Sequence, residues 1–130
     1  MAKQLERTIR GLAANRCEYC HMPDQDLGHV LDHIIARQHG GKTVRQNLAL
    51  CCGRCNKFKG PNISGIDAES GHLTRLFHPR RGRWHEHFKW EGQVLVGRKP
   101  VGRTTVAVLS INHPIRLAAR RALLTEGGFV

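Results

Sequence analysis

Two identical Cys-x2-Cys knuckles, Cys17/Cys20 and Cys52/Cys55, enclose a 31-residue segment of this 130-residue chain. A two-residue gap lets both thiolates of a knuckle reach one ion, and two knuckles complete the tetrahedral four-thiolate set of structural zinc. The alternatives are disulfides or a redox pair. A redox motif needs only one such knuckle and a βαβ setting, which this segment lacks. Disulfides belong to oxidising compartments. Met1 to Arg16 carries five charges and no apolar run, unlike a secretory leader. No stretch approaches the ~20 apolar residues that span a bilayer. The expectation is therefore a cytoplasmic protein with no membrane partner, whose cysteines bind Zn²⁺. Cys51 adjoins Cys52, so on a strand it points to the opposite face and reads as a small buried residue, not a ligand.

Such a clip matters because bulky core filler is scarce: only 5% of residues are aromatic. Structural zinc contributes on the order of 10 kcal/mol of apparent binding free energy to small modules, enough to offset a thin core. The net charge of +11 is spread over both halves of the chain. A basic chain of this kind expects a polyanionic partner, here nucleic acid, with a plain basic surface as the bland alternative.

Periodicity supplies the outline. Leu5, Ile9, Leu12 and Ala13 predict an amphipathic helix over Leu5 to Ala14. His29 to Ile35 reads as a strand, Gln38 to Lys42 as a loop in which Gly40 and Gly41 permit positive φ, and Asn47 to Leu50 as a second strand. Arg54 to Lys59 is a short helix stopped by Gly60-Pro61. Further on, Leu73 to Phe77 and Gln93 to Val96 read as strands. Thr104 to Ile111 is open between strand, from its β-branched residues, and helix, from the spacing of Val106 and Leu109. Pro114 to Glu126 is the clearest helix, with Ile115, Ala118, Ala119, Ala122 and Leu123 on its expected apolar face and Gly127-Gly128 at its end. With no repeat or low-complexity linker, the chain reads as one domain over residues 1–130.

The run Cys17-Glu18-Tyr19-Cys20, Asp32-His33-Ile34-Ile35, Gly40-Gly41, then Asn47-Leu48-Ala49-Leu50-Cys51-Cys52-Gly53-Arg54-Cys55-Asn56-Lys57-Phe58-Lys59-Gly60 resembles the HNH endonuclease family. The resemblance covers residues 16–62 and implies an α+β fold, a treble-clef-like ββα-metal core stapled by the four cysteines. Residues 63–130 would be a C-terminal α/β extension packed on that core.

The implied activity is metal-dependent hydrolysis of DNA phosphodiesters, double-stranded DNA being the expected substrate and RNA the alternative. By the family pattern His33 is the general base, Asp32 and Asn56 hold a catalytic Mg²⁺ or Mn²⁺, and Asn47 orients the base or its loop. Asn56 stands where a family member has its final His or Asn. The chemistry agrees. A divalent ion can neutralise charge on the phosphoryl and departing oxygens. Oxygen donors suit hard cations, and neutral imidazole accepts a proton at cellular pH. Neighbours on a regular strand face opposite ways, so the strand must end or twist at Asp32-His33 for both to meet one phosphate. The rival reading is a non-catalytic zinc-stabilised nucleic-acid-binding module.

Arg37, Arg54, Lys57 and Lys59 are the expected phosphate contacts, with ordinary surface charge as the alternative for each. The stretch from Arg75 to Arg103 interleaves basic residues with Phe77, Trp84, Phe88 and Trp90. It is open between a second nucleic-acid face and an aromatic core with a solvated rim. His85 and His87 would share one side of a strand but have no nearby acid in clear register, and are left unassigned.

Overall fold

A computed structural model describes residues 3–26 and 28–127 of the protein. Its elements are α1 (Lys3–Leu12), β1 (Val30–His33), β2 (Leu48–Cys51), α2 (Gly53–Lys59), β3 (Ser64–Ile66), β4 (Leu73–Arg75), α3 (Trp84–His87), β5 (Phe88–Glu91), β6 (Val94–Gly97), α4 (Pro100–Val108) and α5 (Pro114–Thr125). The fold is α+β, and the described strands form three antiparallel hairpins, β1–β2, β3–β4 and β5–β6.

The first hairpin organises the site. Its register sets Leu31 opposite Leu50 and His33 opposite Leu48, with Val30 opposite Cys51 and Asp32 opposite Ala49 on the other face. Every residue of β2 is buried, as expected for a strand covered on both sides. One side is covered by α1, whose Ile9 is wholly buried against Leu48 and Leu50, with Leu5, Ala13 and Leu31 around it. The main core on the other side contains all four knuckle cysteines, with Tyr19, Ile34, Phe77, Phe88, Leu95, Leu109 and Ile111.

The strand edge that β1 leaves open is closed by polar groups. Glu18 N donates to Leu50 O at 2.9 Å, and Leu50 N donates to the Glu18 carboxylate at 2.8 Å. Arg80, from the C-terminal part, donates through Nε to Leu48 O at 3.0 Å and pairs closely with Glu18. An edge occupied this way offers no free ladder to another chain.

Local expectations and observed elements agree in order and type through residue 60, with boundaries shifted by a few residues. Asn47 is not in the second strand; it closes a 3-10 turn over Arg45–Asn47. The expected loop over Gln38 to Lys42 starts inside a second such turn, Arg37–His39, capped by Gly40 at φ 89°.

Thr104 to Ile111 resolves largely into helix α4. Pro100 at its first turn presets the helical φ. The Thr105 hydroxyl donates to Val101 O at 2.7 Å and accepts from Phe77 N at 2.8 Å. A β-branched residue thus serves the helix and ties it to the core. α4 lies so close to the end of α3 that a Cβ on Gly102 would come within 1.9 Å of His87 O.

The aromatic stretch is core: Phe77 and Phe88 are buried, Trp84 and Trp90 pack against them, and Trp84 Nε1 donates to Tyr19 O at 2.9 Å. His85 and His87 sit on the helical turn α3, not on a strand. Two residues apart on a helix, they do not share a face.

Helix α5 departs most from expectation. Its extent agrees, and Gly127 follows it at φ 74°, while Gly128 lies outside the described residues. Its inward face does not. Ile115 is 55% exposed, and Ala118, Ala119 and Ala122 also face solvent, whereas Arg116 and Arg120 are 5% and 1% exposed. The inward side of the helix sets Arg116 against the sulfurs of Cys52 and Cys55 and Arg120 over the Trp90 ring. None of the described helices is long and apolar enough to cross a membrane.

Because Ile9 packs on the hairpin face away from the sulfurs, Ile9→Ala is expected to lower stability by about 3 kcal/mol in urea unfolding while leaving metal content unchanged.

Candidate active site and sulfur cage

The first knuckle is shaped by backbone bonds within the turn. His21 N donates to Cys17 O at 2.8 Å, Cys17 N to Met22 O at 2.9 Å, and His21 takes the left-handed conformation at φ 64°. The second knuckle spans the start of α2, where Cys52 is the N-cap and its sulfur accepts from Cys55 N at 3.4 Å. The four ligand sulfurs of Cys17, Cys20, Cys52 and Cys55 all lie within 4.8 Å of one another. Cys20 Sγ and Cys52 Sγ are 3.7 Å apart, close to the ~3.8 Å edge of a tetrahedron with metal–sulfur bonds of about 2.3 Å. The four can therefore hold one zinc ion. Burial pushes the Cys17 and Cys55 thiols well above their ordinary range, so a bound dication is what favours their thiolate forms. Cys51 is not one of the four, but contrary to expectation it does not turn away from them. It is buried in the same cluster with its side chain hydrogen-bonded to Cys17, because its face of β2 is the one that packs on the sulfurs.

Asp32 and His33 leave β1 on opposite faces, yet both line one open cleft of about 330 Å³ together with Asn56, Arg37, Gln38 and Pro61. β1 ends at His33, so the cleft wraps around the strand terminus and meets α2 on its far side. His33 Nε2 lies 2.8 Å from the Thr43 hydroxyl, and Asn56 is an exposed residue of α2.

Asp32 is 6% exposed. Its carboxylate accepts from the Tyr19 hydroxyl at 3.1 Å and pairs with Lys59 Nζ at 3.1 Å. Lys59 also donates to His33 O at 3.2 Å. Burial raises the Asp32 carboxyl above its usual range, and the Lys59 ammonium and Tyr19 hydroxyl pull it back.

Asn47 pins the loop after β1. Its Oδ1 accepts from Ile35 N at 2.8 Å, and its Nδ2 donates to Ile35 O at 3.0 Å and Lys42 O at 2.9 Å. The loop passes so tightly that a Cβ on Gly41 would lie 1.7 Å from Ile35 O. Gly41 is thus needed for close approach, whereas Gly40 is needed for positive φ.

The four cationic residues expected at phosphate separate into three places. Arg37 lines the cleft. Arg54 and Lys57 line a different cavity, of about 720 Å³, beside Cys20, Cys52, Arg116 and Leu123. Lys59 is 1% exposed, turned inward because it stands one helical turn after buried Cys55 on the same face of α2. That i, i+4 relation was visible in the sequence. Tyr19, Arg116 and Arg120 carried no comparable signal.

Arg116 approaches the cage directly. Its Nη2 donates to Cys55 Sγ at 2.9 Å and lies 3.9 Å from Cys52 Sγ, while Nη1 donates to Leu109 O at 2.7 Å. Arg120, one turn on, bonds the carbonyls of Ile111 and Arg116 and stacks over Trp90 at 5.5 Å.

A ββα unit closed by a four-sulfur cage, with an Asp-His pair at the strand end, is the architecture of an HNH nuclease core. Residues 17–62 match the family model of the HNH endonucleases, and this segment of the chain is an HNH domain. A stretch of 56 residues is 38% identical to the CRISPR-associated endonuclease Cas9 of Corynebacterium diphtheriae; it makes up 42% of this chain and 5% of that protein. The chain therefore spans only a small part of the length of that relative. No solved structure matches.

Two substitutions probe these roles. Cys52→Ala is expected to lose bound zinc and Cys51→Ala to keep it, by metal analysis of the purified proteins. Asn47→Ala leaves the half-buried Ile35 amide without its acceptor, and should cost about 1 kcal/mol and speed hydrogen exchange at that amide.

Proposed function

We propose that this protein is a cytoplasmic, metal-dependent HNH endonuclease that hydrolyses DNA phosphodiester bonds, with residues 1–130 acting as one folded unit. The observation that carries the reading is the convergence of Asp32, His33 and Asn56 on one cleft. Asp32 and Asn56 offer oxygen donors suited to Mg²⁺ or Mn²⁺. Such an ion, when bound, supplies Lewis-acid neutralisation of charge on the phosphoryl and departing oxygens.

His33 takes the proton from the attacking water as the new phosphorus–oxygen bond forms and the bond to the departing alkoxide breaks. Thr43, bonded to the imidazole, orients it, and Asn47 and Gly41 hold the loop that carries Thr43. Arg37, exposed in the cleft, meets the phosphate there, and Arg54 and Lys57 meet the backbone further along. Lys59, being buried, serves the site by holding Asp32 as an anion, not by touching the substrate. Zn²⁺ in the sulfur cage has a structural role.

One observation favours the rival reading of a zinc-stabilised binding module without activity. The Asp32 carboxylate is already engaged by Lys59 and Tyr19, as a purely structural carboxylate would be. Plasmid nicking with Mg²⁺, Mn²⁺ and EDTA separates the two. The enzyme nicks with either ion and not in EDTA, and His33→Ala slows nicking by about 10²–10⁴-fold with zinc content and circular dichroism unchanged. Cleavage that survives His33→Ala intact removes the general base. DNA retention without any cleavage, unaffected by EDTA, selects the binding module.

A further inference from the structure

Arginines 116 and 120 present a charge problem. Both are buried, and among the described residues no carboxylate lies within ion-pair distance of either. Arg120 Nη1 is buried with no hydrogen-bond partner. An uncompensated guanidinium inside a protein is strongly unfavourable. The anions within reach are the sulfurs: Arg116 contacts Cys55 and Cys52, and Arg120 lines the same cavity as Cys20 and Cys52, one helical turn beyond Arg116. Four thiolates around one zinc ion carry a net charge of −2, which two guanidiniums cancel. Neutral thiols would leave the two cations unpaired.

We propose that Arg116 and Arg120 are the outer charge shell of the zinc–thiolate cage, so that helix α5 docks on the HNH core by its charge and stabilises the metal in return. This rests on the reading of the four cysteines as a zinc site. Arg116 is a positioning residue: its N–H···S bond withdraws electron density from the Cys55 sulfur and lowers its reactivity. Arg120 acts through charge alone. The same arrangement explains why α5 turns Arg116 and Arg120 inward and its alanines outward. It also gives the segment beyond residue 62 a task in the core, as a lid over the sulfurs.

The test uses the whole chain with cobalt(II) in place of zinc, because the sulfur-to-cobalt charge-transfer band reads electron density on the sulfurs. Arg116→Gln is expected to move that band to lower energy and to speed metal release to a chelator by about 10–100-fold, the usual range for lost outer-shell partners. Arg120→Gln should speed release with little change in the band. Arg116→Lys, which keeps the charge, should restore part of the release rate and is informative even if the glutamine variant does not fold. Leu117→Ala, half-buried on the same helix, controls for simple loosening.

An unmoved band and unchanged release in the Arg116 variants overturn the inference and leave the zinc site standing. Equal acceleration by Leu117→Ala overturns it too, since helix stability alone would then explain the effect. Purified protein with no zinc and no capacity for cobalt overturns both readings together.

Discussion

The contact among four sulfurs is the constraint on which the structure depends. It joins a knuckle before the first hairpin to one that runs from the second strand into the helix behind it, and it fixes strand, loop and helix in one geometry. The surrounding core draws on both parts of the chain: Tyr19 and Ile34 from the first, and Leu76, Phe77, Phe88, Leu95, Leu109 and Ile111 from the second, close around the sulfurs. Ordering the 31-residue segment between the knuckles without that link would cost chain entropy that apolar burial alone would have to offset. A zinc ion held by the four sulfurs would make binding and folding one equilibrium, as in other small modules with structural metal.

From the cage, position is transmitted to the cleft by short routes. Cys55 and Lys59 share a face of α2, so anchoring the cysteine delivers the ammonium to Asp32. Asn56, next in the chain after Cys55, is delivered to the opposite, exposed side. Tyr19, inside the first knuckle, brings its hydroxyl to the same carboxylate. Asp32 is therefore held by both knuckles at once. His33 depends on a separate device, the loop drawn tight by Asn47 across Gly41, which presents Thr43 to the imidazole. Two independent supports meet at the end of one strand. That is how residues on opposite faces come to line the same cleft.

Beyond residue 62 the chain supplies closure. Arg80 reaches Glu18 and the free edge of β2, Trp84 reaches the carbonyl of Tyr19, and Arg116 reaches Cys55. Each of these contacts falls on the cage or on an element next to it. The C-terminal part covers most of the sulfur site and shields the strand edge, while Arg37 and Asn56 stay open to a ligand.

What the amino-acid sequence determined by itself was local and chemical. Knuckle spacing pointed to the sulfur set, the resemblance to the HNH family singled out the Asp-His pair and two asparagines as the candidate site, and periodicity gave the order of strand, loop, strand and helix. These rest on residues near one another in the chain or on a motif spacing. Tertiary structure decided which cations are buried. Lys59, expected at the phosphate, turned inward, as did Arg116, which lies off the expected apolar face of α5, and Ile115, expected on that face, turned outward. Hydrophobic periodicity assumes that a helix meets an apolar surface. Here α2 meets a carboxylate and α5 meets sulfurs, and the charge of a partner distant in sequence selects the inward face.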